Sequence, residues 1–381
     1  MHSHSRRGFL GRVLGGAWAT ASLLERAAFV AARARAQSKE PLPVLFDIEK
    51  VADGIYAAVA RGRALINSNA AIFENEKDLL IVDAHSAPSA VFALVAQIRR
   101  EITQKPVRYV VATHLHGDHT QGLPGYRKIA PSVDIIASAT TRQLMIELGP
   151  ARLKSALDGI PRSVENLSRR LAASKTAAEK SYYQEMIRQS QAFLAEMRNV
   201  PVEFPNVTFD DQLTLHDKAH DLHLSFRGRG HTAGDIVVFC PSKKVIASGD
   251  LLHSFFPTIG DGYPRDWPGT LRSIQQLDFQ TAIGGHGSVL ESPERAGQMR
   301  AYFEELIDIV TRAKRDGVPL ERLQQTVTPA SLKTLQGGYG DYLTASVKKH
   351  DFRVYLNTPA EVMAREVGEN VAAVYRNFDR K

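Results

Sequence analysis

Between residues 114 and 119 the chain reads His114-Leu115-His116-Gly117-Asp118-His119, which places three imidazoles and one carboxylate within six residues. Four such groups packed this closely cannot all face one cation. The spacing suits two adjacent sites, with His114 and His116 on one metal and Asp118 and His119 on its neighbour. Imidazole and carboxylate without thiolate suit zinc, with iron or manganese as alternatives. The preceding run, Val107-Arg108-Tyr109-Val110-Val111-Ala112, is β-branched and aromatic and predicts a buried strand. The ligand set therefore leaves a strand end and enters a glycine-bearing loop. A polar surface loop that happens to be rich in histidine is the competing reading, and three further groups of matching chemistry downstream outweigh it.

Those groups are His231, Asp250 and His286. His231 lies in Gly230-His231-Thr232-Ala233-Gly234-Asp235, ahead of the strand-like Ile236-Val237-Val238-Phe239. Asp250 ends Val245-Ile246-Ala247-Ser248-Gly249-Asp250, and His286 sits in Ile283-Gly284-Gly285-His286-Gly287. Each candidate ligand stands at a strand terminus flanked by glycine. A strand end holds a side chain rigidly, and glycine lets backbone approach a crowded site. Any one of these residues alone would be an ordinary structural hydrogen-bonder; the ordered set carries the weight.

The pattern HxHxDH, then GHT, then GD after a strand, then GHG, resembles the metallo-β-lactamase superfamily over roughly residues 45 to 295. The resemblance implies an α/β fold, the αβ/βα sandwich of two mixed sheets flanked by helices. It implies His114, His116 and His231 on a first metal, Asp118, His119 and His286 on a second, and Asp250 bridging both. Asp83, which closes the strand Leu79-Leu80-Ile81-Val82, matches an early aspartate that buttresses the metal loop rather than a ligand.

Two zinc ions about 3.5–4 Å apart would share a bridging hydroxide able to attack an electrophilic carbonyl. Asp118 would ligate and also orient the nucleophile or shuttle its proton. The reaction class implied is hydrolysis of an ester, lactone, thioester or β-lactam, with a small-molecule substrate. An aspartate at position 250, where many β-lactamases of the superfamily carry Cys or Ser, looks more like the thioesterase and lactonase branches. Where lactonases often have a tyrosine this chain has His253, either an exposed loop residue or a catalytic acid or oxyanion donor. The segment from Phe255 to Trp267, with Asp261, Tyr263 and Arg265, is expected to line the cleft. Two rivals are a mononuclear iron dioxygenase acting on persulfides and a non-catalytic accessory protein of a periplasmic quinoprotein system. The full set of seven ligands favours two metals and catalysis over both.

The 381-residue chain carries a formal charge of +7, but six arginines and one glutamate in residues 1–36 supply +5 of it, leaving +2 for the rest. No nucleic-acid patch is therefore inferred. The single cysteine, Cys240, follows Val237-Val238-Phe239 and is expected in the core; no intrachain disulfide can form. Ser5-Arg6-Arg7-Gly8-Phe9-Leu10 resembles a twin-arginine export consensus, and Ala34-Arg35-Ala36 offers a cleavage site before Gln37. The stretch from Val13 to Leu24 is too weakly apolar for a stable membrane span. The expected partner is the twin-arginine export machinery, which moves folded cargo, and the expected location is periplasmic or otherwise extracytoplasmic.

Strands are expected at Val44 to Val51, Gly54 to Ala60, Ser68 to Phe73, Leu79 to Asp83 and Val133 to Ala137. A helix is expected from Ala87 to Arg100, with Val91, Leu94, Val95 and Ile98 on one stripe. Residues 43–295 form the expected metal-binding domain, interrupted at about 140–200 by an amphipathic helical insertion. Residues 296–381 read as a helical cap, with segments at Met299 to Val310, Leu320 to Val327, Pro329 to Leu335 and Pro359 to Phe378.

An export receptor that reads two guanidinium groups is not satisfied by lysine, which lacks their fork geometry. Changing Arg6 and Arg7 together to Lys is expected to leave folded precursor in the cytoplasm on fractionation. Normal periplasmic levels of that variant would remove the export reading.

Overall fold

The computed structural model describes residues 44–61, 68–350 and 356–377. The proposed export signal at 1–36 lies outside the described residues. From Val44 onward the chain forms one compact unit. Its first sheet has seven strands in the order β1 (Phe46–Ala52), β2 (Ile55–Ala60), β3 (Ala70–Glu74), β4 (Leu79–Val82), β5 (Val107–Val111), β6 (Asp134–Ser138) and β7 (Val207–Phe209). The pairs from β1 to β4 are antiparallel and those from β4 to β7 parallel. The second sheet runs β12 (Thr281–Gly284), β11 (Val245–Gly249), β10 (Ile236–Cys240), β9 (Leu222–Phe226) and β8 (Gln212–Leu215), with only β11 and β12 parallel.

Continuous apolar runs in the central strands follow from burial on both faces. Successive strand side chains point to opposite faces, and the chain sorts accordingly. In β4, Leu80 and Val82 pack between the sheets, whereas Leu79 and Ile81 face the helices α1 (Pro88–Glu101) and α3 (Leu123–Ile129). In β10, Ile236, Val238 and Cys240 point inward; Val237 and Phe239 meet the opposite helical layer. Cys240 is thus a buried core thiol, as expected. The result is helix, sheet, sheet, helix, the αβ/βα sandwich.

Helix α1 opens on Pro88, whose fixed φ suits the first turn, and closes with Arg99 and Arg100 near its carbonyl end. Residues 140–200 are helical. They form α4 (Ala139–Ala173) and α5 (Ala177–Met197), following a short turn α2 (Gly117–Thr120) in the metal loop. Ser138 caps α4 by accepting from Thr141 N, and Thr176 with Glu179 forms a capping box on α5. Burial is confined to the root of this hairpin: Thr141, Met145 and Leu153 in α4, and Met197 in α5. Glu196 fastens that root by accepting from Ser89 N at 2.7 Å and Ser89 Oγ at 2.6 Å, which satisfies the start of α1.

The outer face of the second sheet is covered by α6 (Trp267–Gln275), α7 (Glu294–Arg315), α8 (Leu320–Thr326), α9 (Gly338–His350) and α10 (Pro359–Asn377). Sequence patterning overlooked α9, because Gly337, Gly338 and Gly340 obscure its start; its stripe is Tyr339, Leu343 and Val347. The segment from Pro329 to Leu335 forms two single 3₁₀ turns rather than a helix. Strands β7 and β8 are too short to show alternation. Among the described residues no helix is long and apolar enough to cross a membrane.

Because the hairpin is buried only at its root, replacing residues 158–192 with a short linker is expected to shift the melting temperature by only a few degrees. Metal uptake should be retained while substrate preference changes. Loss of folding and metal uptake together would make the distal hairpin part of the core.

Candidate metal centre

All the candidate ligands lie along one edge of the sandwich. Asp83 follows β4, His114 follows β5, Asp250 follows β11, His286 follows β12, and His231 precedes β10, which runs antiparallel to β11. This is the edge where ligands collect in open sheets with parallel strands. Backbone hydrogen bonds lock the loops together. Ile236 N donates to Thr113 O at 3.0 Å, Asn69 N to Gly285 O at 2.7 Å, and Gly285 N to Gly249 O at 2.8 Å. Asn69 Nδ2 also donates to Gly284 O at 3.0 Å and Gly287 O at 2.8 Å, holding the His286 turn. Glycine is required at 285: a Cβ there would meet Asp250 Oδ1 at 2.0 Å.

The side chains converge as two groups sharing one carboxylate. His114, His116 and His231 bring ligand atoms within 4.8 Å of one another, and so do Asp118, His119 and His286. His231 Nε2 faces His116 Nδ1 at 2.8 Å. Asp250 Oδ2 lies 3.3 Å from His231 Nε2 and 3.5 Å from His286 Nε2, so both groups reach it. Asp118 Oδ2 is 3.2 Å from His286 Nε2 and 3.5 Å from His119 Nε2. The structure thus brings together all seven residues singled out as ligands. Asp118 and His119 sit in the one-turn helix α2 rather than an open loop, with Thr120 Oγ1 donating to His116 O at 2.8 Å.

Asp83 is not among the converging groups. Its φ of 69° is left-handed, a conformation costing a non-glycine residue of order 1–3 kcal/mol. That turn aims its carboxylate under the metal loop. Oδ1 accepts from Thr113 N and Thr113 Oγ1, both at 2.9 Å, and Oδ2 faces His119 Nδ1 at 2.8 Å. Thr113 Oγ1 in turn meets His114 Nδ1 at 3.0 Å. One aspartate therefore orients a histidine of each group, the outer-shell arrangement that fixes ring orientation in metal sites. Sequence reasoning gave Asp83 this buttressing role but overlooked Thr113, whose signal was its place directly before the first histidine. It also passed over Asp235, which accepts from Thr232 N at 2.8 Å and Thr232 Oγ1 at 2.6 Å and so closes the His231 turn.

His253 is buried rather than exposed, with its ring 6.0 Å from that of His286. Burial pushes its pKa down to about 4, so it is a neutral imidazole near pH 7. Trp267 both anchors α6, donating from Nε1 to Leu251 O at 3.2 Å, and packs 5.6 Å from the His231 ring. Asp261 reaches the site, facing His116 Nε2 at 3.2 Å.

The polar chemistry is incomplete without a cation. His114 Nε2 is buried with no hydrogen-bond partner, and the buried His119 Nε2 and Asp250 Oδ1 meet only each other at 3.4 Å inside the cluster, with Asp118 Oδ2 3.5 Å from the histidine. Unsatisfied buried groups cost about 1–3 kcal/mol each, and a cation in each group would offer His114 Nε2 and His119 Nε2 a partner, with Asp250 shared between the two. The donor set of imidazole nitrogens and carboxylate oxygens fits a divalent metal. Protons fill part of this role in the metal-free chain. Burial opposes charge on His119 and His286, but the surrounding carboxylates outweigh it. Asp83, Asp118 and Asp250 hold His119 well above its ordinary value, and Asp250 with Asp118 raises His286 to about 10. Burial pushes His231 down to about 3 and His114 well below its ordinary value. Asp118 and Asp250 stay ionised despite burial because His119 and His286 face them.

The family model described as the metallo-beta-lactamase superfamily matches residues 64–286. A protein named metallo-beta-lactamase type 2 from Elizabethkingia meningoseptica is 28% identical over 85 residues, 21% of this chain and 34% of that protein. The chain thus matches about a third of that relative's length. Among solved structures, a metallo-beta-lactamase from Pontibacter korlensis aligns with a TM-score of 0.50 at 16% identity, covering 68% of this chain and 99% of its own. The DIM-1 metallo-beta-lactamase aligns with a TM-score of 0.48 at 19% identity, over 68% of this chain and 97% of its own.

A metal ligand must be a neutral imidazole. In the metal-free chain the facing carboxylates favour the protonated form of His119 and His286, whereas burial disfavours it on His114 and His231. Metal uptake near neutral pH is therefore expected to release protons, measurable by calorimetry in buffers of different ionisation enthalpy. Release close to zero would show that those two imidazoles are already neutral or do not bind.

Proposed function

The chain belongs to the metallo-β-lactamase superfamily, and from that premise we propose that it is a zinc-dependent hydrolase with two metal ions per chain. The substrate class is a small molecule with an electrophilic carbonyl: an ester, lactone, thioester or β-lactam. The observation that carries this reading is the convergence of both histidine groups on Asp250, whose Oδ2 stands within 3.5 Å of a nitrogen from each. A mononuclear iron dioxygenase would need only two histidines and an aspartate; here all seven residues of the two groups are present and converge. When bound, the metal pair supplies an acidified water and a Lewis acid for the carbonyl.

The chain's own residues do the rest. His114, His116 and His231 would hold the first ion, and Asp118, His119 and His286 the second, with Asp250 between. Asp118 is partly open to the cleft, with 19% of its side chain exposed. Its ionised carboxylate can accept a hydrogen bond from an attacking water and orient it. His253, neutral and buried beside His286, would position that ring rather than exchange protons with solvent. Phe255, with its ring 6.4 Å from that of His286, would form an apolar wall for the acyl group. The arginine pair at 6 and 7 supports an extracytoplasmic site of action, after folded export.

The test is a panel of ester, lactone, thioester and β-lactam substrates assayed anaerobically with zinc-loaded protein. Turnover of at least one class without oxygen is expected. Asp118→Asn is expected to lower kcat on the order of 10²-fold or more while the His114, His116 and His231 side keeps its metal. A single iron per chain, with oxygen consumed on a persulfide, would overturn the reading.

A further inference from the structure

The helical insertion reaches a histidine of the cluster through a chain of polar contacts. Arg152, midway along α4, donates from Nη2 to Asp261 Oδ2 at 2.6 Å. The other oxygen of Asp261 faces His116 Nε2 at 3.2 Å. The opposite nitrogen of the same ring, Nδ1, faces the cluster, 2.8 Å from His231 Nε2. Three separate parts of the chain thus meet at a single imidazole: the insertion, the loop before α6, and the metal loop. The contact is seated by packing. Leu153, next to Arg152, is buried with Met197 at the hairpin root. A cavity of only about 40 Å³ lies between this root and metal-loop residues Leu115, Gly117 and Thr120.

We infer that Arg152 is a positioning residue through which the insertion sets the orientation of His116, and with it the affinity and ligand field of the first metal site. The inference rests on the metal reading given above and adds to it a role for the insertion. Two features favour orientation over general stability. First, the pair is open to solvent, with 44% of the Arg152 side chain and 39% of the Asp261 side chain exposed, and such pairs contribute little to folding. Second, the guanidinium fixes a carboxylate in a plane, which ammonium does less well. A carboxylate held in this way selects the ring tautomer: it accepts a proton from Nε2 and leaves the Nδ1 lone pair directed at the cluster. His116 is only partly buried, so its ring has no complete apolar cage to do this instead.

The experiment uses the full folded chain, stripped of metal and titrated with Co²⁺ as a probe against a competing chelator, with the visible absorption of the bound ion recorded. Losing an outer-shell partner typically costs 10–100-fold in metal affinity, so Asp261→Ala is expected to weaken the first-bound Co²⁺ by about that factor. Arg152→Ala, acting one step further out, is expected to weaken it about 3- to 10-fold and to shift its absorption bands. Added to Asp261→Ala it should change nothing further, and Arg152→Lys should restore part of the loss. Lys154→Ala, two residues along the same helix and paired with Asp158, should match the parent chain, and the metal-free melting temperatures should agree throughout. Parent-like Co²⁺ affinity and spectrum in Arg152→Ala would overturn the inference while leaving the metal reading intact. A parent chain that takes up no Co²⁺ would overturn the metal reading, and the inference with it.

Discussion

Buried ligand atoms without partners are the constraint around which this fold is arranged. His114 Nε2 is removed from water and left unsatisfied, and the equally buried His119 Nε2 and Asp250 Oδ1 meet only loosely, at 3.4 Å. A protein interior tolerates such groups only where something else compensates. In the metal-free chain, protons on His119 and His286 offset part of the charge on Asp118 and Asp250. A divalent cation in each group would offset more, because it replaces one proton with two charges and offers a coordination site to every lone pair. The fold holds the costly arrangement through rigid attachment. Each group is anchored at a strand end, and Asp83 ties a histidine of each group to one carboxylate through Thr113 Oγ1 and His119 Nδ1.

The sandwich provides that rigidity by a division of faces. Alternate residues of β4 and β10 belong to different apolar layers, so neither strand can slip by one position without reversing both faces. A slip would also displace Asp83 or His231 from the edge. The helices after residue 294 extend the outer layer on the second sheet, where Tyr302, Phe303, Leu306 and Val310 of α7 are buried with Trp267. Trp267 in turn packs beside His231. The cap is therefore part of what holds one histidine of the cluster in place.

Much of this was legible in the sequence because the deciding signals are local. The motif HxHxDH fixes four candidate ligands in six residues, and glycine beside His231, Asp250 and His286 marks turns that a side chain would obstruct, as the Gly285 contact with Asp250 confirms. Apolar runs gave the central strands for the same reason. What stayed hidden depends on distant pairing. Arg152 and Asp261 lie 109 residues apart, and nothing around Arg152 distinguishes it from the other charged residues of an amphipathic helix. His253 gave no sign of burial, because its surroundings are set by the turn after β11 rather than by flanking periodicity. Helix α9 was masked by the glycines at its start, although its stripe of Tyr339, Leu343 and Val347 is regular.

The central claim is that two cations occupy this edge, one per histidine group, with Asp250 between them. A crystal structure of the zinc-soaked chain, with anomalous difference maps at the zinc edge, tests it most directly. The account expects two peaks about 3.5–4 Å apart, one against His114, His116 and His231 and the other against Asp118, His119 and His286, with Asp250 contacting both. A single peak, or a second one bound away from Asp118, His119 and His286, would contradict it.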